Sequence, residues 1–453
     1  MQKTEIIPTR QLMAFGAPAF ITALMFGPSA AILPTIYAKF YGFDLAVIGT
    51  VLMVSRLLDA FTDPLIGYLS DHTKTRFGPR KPWIVCGYAL TLIAAFALFA
   101  PPEGIGISYF TIWFVLFYLF LTMAEIPYAA WQMELSRDYY QRSRIATYRI
   151  VFSLIGSLAF AGVPLLPMFP TSEFTPETLK YVAWGLVFLL PPLVLTAVSY
   201  VPQGKTVAVK ESASLGELYQ SIRHNRPFLH LFASFLIIGI AGGVFMGGEF
   251  MFVDTYLGAG DKFPYIMIAG AVISILAMPF WLKMIGRFGK HRIWSIATVV
   301  GAIAILCQIF LEPGTEVFIP LLLINSIVTA VFTCGVVASM AMLGDTIDFD
   351  TLKTGVNRSG QYFSFLAMIM KANAAIGGGL AFYLLSVFKY DPTAVAHDDF
   401  STLGMKLTVI LLPPVIYLLG AVLIWFFPIN ERRQGIIKKR IESRAERMQR
   451  DSA

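Results

Sequence analysis

Ionisable residues interrupt an apolar stretch of the sequence at residues 55–64. Arg56, Asp59 and Asp63 are spaced three and four residues apart, and Thr62 adjoins them. With about 100° between successive residues of an α-helix, the three charges fall within an arc of about 60° on one face. Two carboxylates one turn apart cannot both stay ionised in a low dielectric without a cation between them. The spacing therefore predicts a cation site formed by Asp59, Thr62 and Asp63.

The cation at this site is predicted to be either Na⁺ or H⁺. Carboxylate and hydroxyl oxygens are hard ligands that suit Na⁺, and a proton held by the acids would suit them equally. The alternative interpretation is a structural salt bridge to Arg56, with Asp63 only ending the helix. The three Cys and five His show no metal-ligand spacing, so we expect no cofactor and no metal beyond a possible Na⁺.

The elements that must position these residues are membrane spans. Only 14% of the 453 residues are charged and 57% are hydrophobic, whereas soluble domains carry roughly a quarter charged residues. The apolar residues form blocks of roughly 20 to 28, the length that crosses about 30 Å of hydrocarbon. Twelve spans are predicted, at 13–41, 45–70, 82–101, 106–134, 146–169, 180–201, 227–257, 263–285, 291–312, 316–343, 361–388 and 403–428.

The basic residues predict the orientation of these spans. About 27 of the 35 Lys and Arg fall at the N-terminus, in the even-numbered connections, in the polar segment 202–226 and in the tail. The other connections are short and acidic. Because cytoplasmic loops are enriched in Lys and Arg, both termini are predicted to be cytoplasmic. The tail, residues 431–453, is expected either to lie along anionic headgroups or to be a solvated end that fixes the topology.

Several classes of function are disfavoured by the sequence. The net charge of +7 is accounted for by topology, which leaves no basic face for a nucleic acid. The five His lie in loops or at span ends without an HExxH or acid–His pattern, so an enzyme is not expected. A receptor or scaffold that has lost transport is disfavoured because charges are retained inside the spans.

Other charges at membrane depth are candidates for function, because such charges are expensive to bury. Glu125 and Arg149 could bind hydroxyl groups bidentately, or receive an anionic group once the pair opens. The alternative is a static bridge between two helices. For Glu249 three roles stay open: binding substrate, binding a proton, or capping a helix break at Gly247 and Gly248.

Two connections suggest an internal repeat. Residues 67–81 and 286–292 each join the second and third spans of one half through a glycine-containing turn with clustered cations. In these loops the chain resembles the major facilitator superfamily, which implies an all-α membrane protein with twelve transmembrane helices in two six-helix bundles. We assign the bundles to residues 1–201 and 227–430, joined by a cytoplasmic linker at 202–226. A gating or charge network is predicted at Arg56, Asp71, Arg80, Asp345, Asp348 and Arg358.

Five segments resemble the glycoside–pentoside–hexuronide:cation symporters, the relatives of melibiose permease. They are Arg-x-x-Asp-Ala-x-x-Asp-Pro at 56–64, Thr-Arg-Phe-Gly-x-x-Lys-Pro-Trp at 75–83, Glu-Ile-Pro-Tyr at 125–128, Tyr-Arg at 148–149, and 344–365 in the connection between spans 10 and 11. The resemblance implies a cation site at Asp59, Thr62, Asp63 and Thr122. It also implies a substrate site of Glu125, Arg149 and Lys371, with Tyr128 and Trp131 beside it and Glu249 as a further candidate.

The chain departs from that family in spans 1 and 4. Span 1 has no acid after Phe15-Gly16, where the family's sugar binders have an Asp, and Ala129 replaces an expected aromatic. We expect a monomeric symporter of the bacterial plasma membrane that carries a small organic solute, a glycoside or a uronide, in contact with membrane lipids. The alternative substrate is a lysolipid-like or other anionic amphiphile, because span 1 is similar to that of the eukaryotic lysolipid symporters.

Overall fold

The computed structural model describes residues 6–27, 31–136, 138–204, 223, 225–355, 358–394 and 396–451. Every regular element within these ranges is helical. This follows from the apolar composition, because a chain in hydrocarbon must satisfy its backbone N–H and C=O groups within the spanning segment itself. The sequence-based expectation of an all-α membrane fold is confirmed.

The helices follow the order of the predicted spans. In chain order they are α1 Thr9–Gly27, α2 Leu33–Tyr41, α3 Leu45–His72, α4 Lys81–Phe99, α5 Ile107–Glu134, α6 Tyr139–Gly162, α7 Pro176–Tyr200, α8 Arg226–Met251, α9 Phe263–Phe288, α10 Lys290–Leu306, α11 Phe318–Thr354, α12 Ser359–Val387, α13 Asp399–Met405, α14 Leu412–Trp425 and α15 Glu431–Asp451. Two π-helical turns, Phe252–Tyr256 and Lys406–Leu411, extend α8 and join α13 to α14.

Within the described ranges, eleven helical segments are long and apolar enough to cross a membrane, and they correspond to predicted spans 2 to 12. Predicted span 1 comprises two helices, α1 and α2, and residues 28–30 between them lie outside the described ranges. Pro34 stands in the first turn of α2, where its missing N–H would have no partner in the helix.

The predicted end of span 10 at residue 343 is wrong, because α11 continues to Thr354. Asp345 and Asp348 therefore lie on a helix and not in a loop. The helix ends where Gly355 adopts the left-handed conformation, with φ of 74°, which a residue without a Cβ takes at little cost.

Two compact units divide the chain. The first contains Met1–Ala208, Met246–Ile268 and Gly378–Met405. Within it α1 packs on α6, and α4 packs on both α5 and α7. Small residues allow these close approaches: a Cβ added to Gly156 would lie 2.2 Å from the carbonyl oxygen of Phe20. The predicted bundle boundaries remain a prediction.

The second unit contains Val209–Phe245, Ala269–Gly377 and Lys406–Ala453. Its core gathers large side chains such as Phe228, Trp294 and Tyr362. The tail helix α15 joins this core through Ile437, which is buried, and packs on α11. The first turns of the tail are thus part of the folded unit, which the interpretation as a simple solvated end did not foresee.

Candidate functional site

An acid–arginine pair lies between α5 and α6 in the first unit. Arg149 Nη2 donates to Glu125 Oε2 at 2.7 Å, and the two side chains are 26% and 23% exposed. Arg149 Nη1 also donates to Gln132 at 2.9 Å, and its guanidinium lies 4.6 Å from the centre of the Tyr128 ring. The pair is therefore formed as predicted, with a carboxylate, an amide oxygen and an aromatic face around one guanidinium.

Two hydroxyl groups hold the other oxygen of Glu125. Thr22 Oγ1 of α1 and Tyr88 Oη of α4 both donate to Glu125 Oε1 at 2.7 Å. The two hydroxyl oxygens are 2.8 Å apart. With both protons directed at the carboxylate, Glu125 accepts three hydrogen bonds as an anion. Four helices thus meet at one acid.

The polar atoms of the two aromatic residues predicted beside this pair are bonded to the backbone. Tyr128 is fully buried, and its hydroxyl donates to the carbonyl of Phe15. Trp131 is also fully buried, and its indole N–H donates to the carbonyl of Pro202 at 3.1 Å. The ring of Tyr128 therefore supports Arg149 through their cation–π contact, and substrate binding by Tyr128 and Trp131 remains a prediction.

The acid at the centre of the predicted cation site is deeply buried. Asp59 is 3% exposed, and its Oδ2 lies 3.6 Å from Nη1 of Arg56 one turn earlier on α3. The guanidinium of Arg56 stacks on Tyr118, 3.6 Å from the ring centre, and lies 4.9 Å from the centre of the Phe26 ring. Stacking on aromatic faces offsets part of the cost of removing a cation from water. Arg56 is therefore stabilised here by the two aromatic rings as well as by Asp59.

The other oxygen ligands predicted for the cation surround the same part of α3. Thr62 and Asp63 are half-buried on α3, and Thr122 is buried on α5, which packs against α3. In the described part of the chain, the buried hydroxyl oxygen of Thr62 makes no hydrogen bond. Leaving such a group unsatisfied costs about 1–3 kcal/mol. A ligand at this hydroxyl would remove that cost, and the oxygen donors suit Na⁺.

Two candidates stand apart from these clusters along the chain. Lys371 is half-buried on α12, in the part of that helix that belongs to the second unit. Glu249 is half-buried near the end of α8, in the first unit. Because α8 runs without interruption through Gly247 and Gly248 to Met251, the suggestion that Glu249 caps a helix break is wrong.

A charge cluster occupies the connection between α3 and α4. Arg80 pairs with Asp71, donates to Glu134 at 2.7 and 3.0 Å, and donates to Ser70 at 2.8 Å. Burial alone would lower the pKa of Arg80, but the hydrogen bonds of Glu134 and Asp71 outweigh it and raise that pKa. The predicted Asp71–Arg80 contact is present, and Glu134 is an additional partner.

The second unit has a counterpart in the connection between α9 and α10. Lys290 Nζ donates to both carboxylate oxygens of Asp345 at 2.8 Å, and Gln434 of the tail helix donates to the same carboxylate. Arg358 lies 3.5 Å from Asp350, which is buried on α11. The predicted network residues Asp345 and Arg358 thus have separate partners, and Asp348 is half-buried on the same helix.

Sequence reasoning missed Thr22, Tyr88 and Gln132. Gln132 could have been found, because it lies seven residues after Glu125 on the same face of α5. Thr22 and Tyr88 carry no charge, and their separations from Glu125 follow no helical period, so no sequence signal identifies them.

The helical membrane architecture and the buried ion pairs define a polytopic transporter. The sequence profile of a family described as MFS/sugar transport protein matches residues 14–431. The chain therefore belongs to this family of the major facilitator superfamily, and its resemblance to the glycoside–pentoside–hexuronide:cation symporters is confirmed.

Similar proteins carry the names of symporters. The chain is 23% identical over 440 residues to the uncharacterized symporter YnaJ of Bacillus subtilis, covering 95% of this chain and 94% of that protein. It is 23% identical to the putative glycoside/cation symporter YagG of Escherichia coli, covering 90% of each chain. It is also 23% identical to the sodium-dependent lysophosphatidylcholine symporter 1 of Gallus gallus, covering 86% of this chain and 81% of that one.

A solved structure shares the fold. The crystal structure of the nucleoside transporter NupG has a TM-score of 0.66 at 14% identity, and covers 92% of this chain and 98% of that chain. The all-helical major facilitator fold is thereby confirmed, and this likeness says nothing about the solute.

Proposed function

We propose that this protein is a cation-coupled symporter that carries a glycoside or a uronide across the plasma membrane by alternating access. The observation that carries the proposal is the Glu125–Arg149 pair, which lies inside membrane-spanning helices and is surrounded by hydrogen-bonding groups. The names of similar glycoside/cation symporters support it. The solute is moved and not chemically changed.

The state of the carboxylate favours a solute with an acidic group. Glu125 already accepts bonds from Thr22, Tyr88 and Arg149, so it has little capacity left for the hydroxyl donors of a sugar. Arg149 has five N–H donors, of which the described residues engage those bonded to Glu125 and Gln132. Its remaining donors match the two oxygens of a carboxylate. A uronide fits this arrangement better than a neutral glycoside.

The same arrangement supports a second candidate, a lysolipid-like or other anionic amphiphile. A phosphate group would use the free donors of Arg149 as a carboxylate does. The similarity to sodium-dependent lysophosphatidylcholine symporters and the absence of an acid in span 1 favour this candidate.

Coupling is assigned to the two acids of α3. Asp59 and Asp63, with the hydroxyls of Thr62 and Thr122, would hold Na⁺ or a proton, and the bound cation would offset the carboxylate charge that is costly at this depth. Lys371 and Glu249 are kept as further candidates for binding the substrate. The candidates for gating or charge pairing remain Arg56, Asp71, Arg80, Asp345, Asp348 and Arg358. We assign the active form as a monomer with both termini in the cytoplasm.

A ligand screen on the purified protein tests the substrate. Thermal stability is measured with methyl β-glucuronide, methyl β-glucoside and lysophosphatidylcholine, each in sodium and in choline chloride. Saturable stabilisation by either sugar supports the proposal. The glucoside carries CH2OH in place of the carboxylate, so a stronger response to the glucuronide supports the preference for a uronide. Stabilisation by the lysolipid alone would establish the second candidate instead.

Substitutions in α3 test the coupling. Asp59→Asn and Asp63→Asn are expected to abolish cation-dependent stabilisation and cation-dependent uptake into proteoliposomes, because the neutral amide cannot balance a cation. Glu103→Gln removes an exposed acid in the connection between α4 and α5 and serves as the control. An unchanged cation response in both α3 variants would refute the assignment.

A further inference from the structure

An ion pair joins the N-terminal and C-terminal halves of the sequence. It lies in the first unit, at the end opposite the basic loops. Lys39 Nζ of α2 donates to Asp254 Oδ2 at 2.8 Å. The Asp254 side chain is 3% exposed, whereas that of Lys39 is 26% exposed. Removing one partner of such a pair leaves the charge of the other uncompensated, so either substitution destabilises the arrangement in which the contact forms.

The segment that carries Asp254 is irregular and anchored. Asp254 lies in the π-helical turn Phe252–Tyr256 at the end of α8, and π-helical turns occur frequently at functional positions. Thr255 Oγ1 lies 2.8 Å from Tyr390 Oη, which lies 3.2 Å from His397 Nε2. These contacts fix the turn to the segment that follows α12. Lys39 therefore binds a carboxylate whose backbone is held both by α8 and by the segment that follows α12.

A helix crossing supports the same contact. A Cβ added to Gly49 of α3 would lie 2.7 Å from the carbonyl oxygen of Gly379 of α12. In return, a Cβ added to Gly379 would lie 2.7 Å from the carbonyl oxygen of Gly49 and 2.2 Å from Cγ of Met53. The two backbones touch, and a side chain at either position would separate them.

We propose that these contacts are an outer latch, comprising the Lys39–Asp254 ion pair and the Gly49–Gly379 crossing. The latch closes the outer end of the transporter and must open each time the outer side is exposed. The glycines allow α3 and α12 to meet, and the ion pair holds them in that position. The latch controls access to the outer side and does not bind the solute or the cation. The proposal is therefore independent of which solute and which cation the protein carries.

Distance measurements between two spin labels test the latch. Cysteines are placed at Glu103 and Asp399, which are exposed positions of the first unit at its outer end, after Cys86 and Cys307 are changed to serine. The wild type is expected to show mainly the short distance of the closed latch. Asp254→Asn and Lys39→Gln are each expected to raise the ratio of long to short distances at least about tenfold.

The chain offers a matched control for these variants. Asp261 and Lys262 form an exposed ion pair in the same unit, at 2.7 Å, and surface pairs of this kind contribute little. Asp261→Asn is therefore expected to leave the distances unchanged. An effect in only one of the two latch variants would overturn the proposal, because an ion pair fails when either partner is removed. The proposal would also be overturned if Asp254→Asn and Lys39→Gln both gave the same spin-label distances as the Asp261→Asn control.

A steric variant keeps the test decisive if Asp254→Asn does not fold. Gly49→Ala leaves every charge in place and pushes α3 away from α12, so it is expected to raise the same long-distance fraction. Lys39→Gln and Gly49→Ala then decide the question together. Wild-type distances in both would refute the latch.

Discussion

Thr22→Val tests the hydroxyl that holds Glu125. Valine has the shape of threonine without its donor, so the substitution removes one hydrogen bond and little else. In the wild type, Thr22 Oγ1 donates to Glu125 Oε1 at 2.7 Å, and Tyr88 donates to the same oxygen. The acid keeps Tyr88 and Arg149 after the change. The expected result is a less stable protein in which the Glu125–Arg149 pair persists.

The size of this effect follows from the charge of the acceptor. A hydrogen bond to a charged group contributes about 1.5–3 kcal/mol to stability, against about 0.5–1.5 kcal/mol for a bond between neutral groups. Thr22 is half-buried and Tyr88 continues to satisfy the same oxygen, so the expected loss is about 1.5 kcal/mol, the lower end of the charged range. Thr22→Ser keeps the donor and should lose less than about 0.8 kcal/mol, the value of one buried methylene.

Equilibrium unfolding by sodium dodecyl sulfate in mixed micelles, followed by tryptophan fluorescence, measures these differences. The same two substitutions are then made in Glu125→Gln, where the acceptor is neutral. There the cost of Thr22→Val should fall to about 0.5–1 kcal/mol, because the bond is no longer charge-assisted. The reasoning is refuted if Thr22→Val costs no more than Thr22→Ser, or if its cost is the same with Glu125 and with Gln at that position.

Two further predictions concern Asp345 and Asp391. Asp345→Asn leaves Lys290 without its buried partner and should lower the free energy of unfolding by about 3 kcal/mol, the lower end of the range for breaking a buried pair. The lower end applies because Lys290 is 25% exposed and can reach water. Equilibrium unfolding measures this difference, and a smaller loss of stability than that of a variant with an exposed ion pair removed would contradict the prediction. Hydrogen bonds from Thr393 lower the pKa of Asp391, so they stabilise the segment after α12 above the ordinary carboxyl pKa of about 4 and lose that effect as pH falls through the lowered value. The protection factors of the amides of residues 388–394, which correct for the slower intrinsic exchange in acid, should therefore fall on acidification. Thr393→Val should reduce this pH dependence, and identical protection-factor profiles in the variant and the wild type would contradict the prediction.

The order of spans 2 to 12 could be predicted because each apolar block has the length of a membrane crossing. The extent of α11 could not be predicted from hydropathy. Its last three turns carry Asp345, Asp348, Asp350 and Lys353, a composition that fits a polar loop as well as a helix leaving the membrane. Tertiary contacts decide in favour of the helix, since Lys290 binds Asp345 and Arg358 binds Asp350.

The candidate site was predictable only where one helix carries both partners or where both partners are charged. The Arg56–Asp59 pair follows from helical spacing, and Glu125 and Arg149 stand out as charges inside apolar blocks. The sequence gives no reason to select Asp254, because it lies near the end of a predicted span, where an acidic residue is typical of the start of a loop. Its burial depends on a π-helical turn that no local pattern predicts.

The hydroxyl groups around Glu125 also explain how the absence of an acid in span 1 affects the choice of substrate. A second carboxylate there would compete with Glu125 for Arg149 and leave the cluster with a net negative charge. Thr22 instead donates to Glu125, so one acid and one base balance, and the donors of Arg149 beyond those bonded to Glu125 and Gln132 are available. Such a cluster repels an anion less and pairs with it better. The lack of a second acid therefore favours an acidic ligand, and methyl β-glucuronide should bind more tightly than methyl β-glucoside.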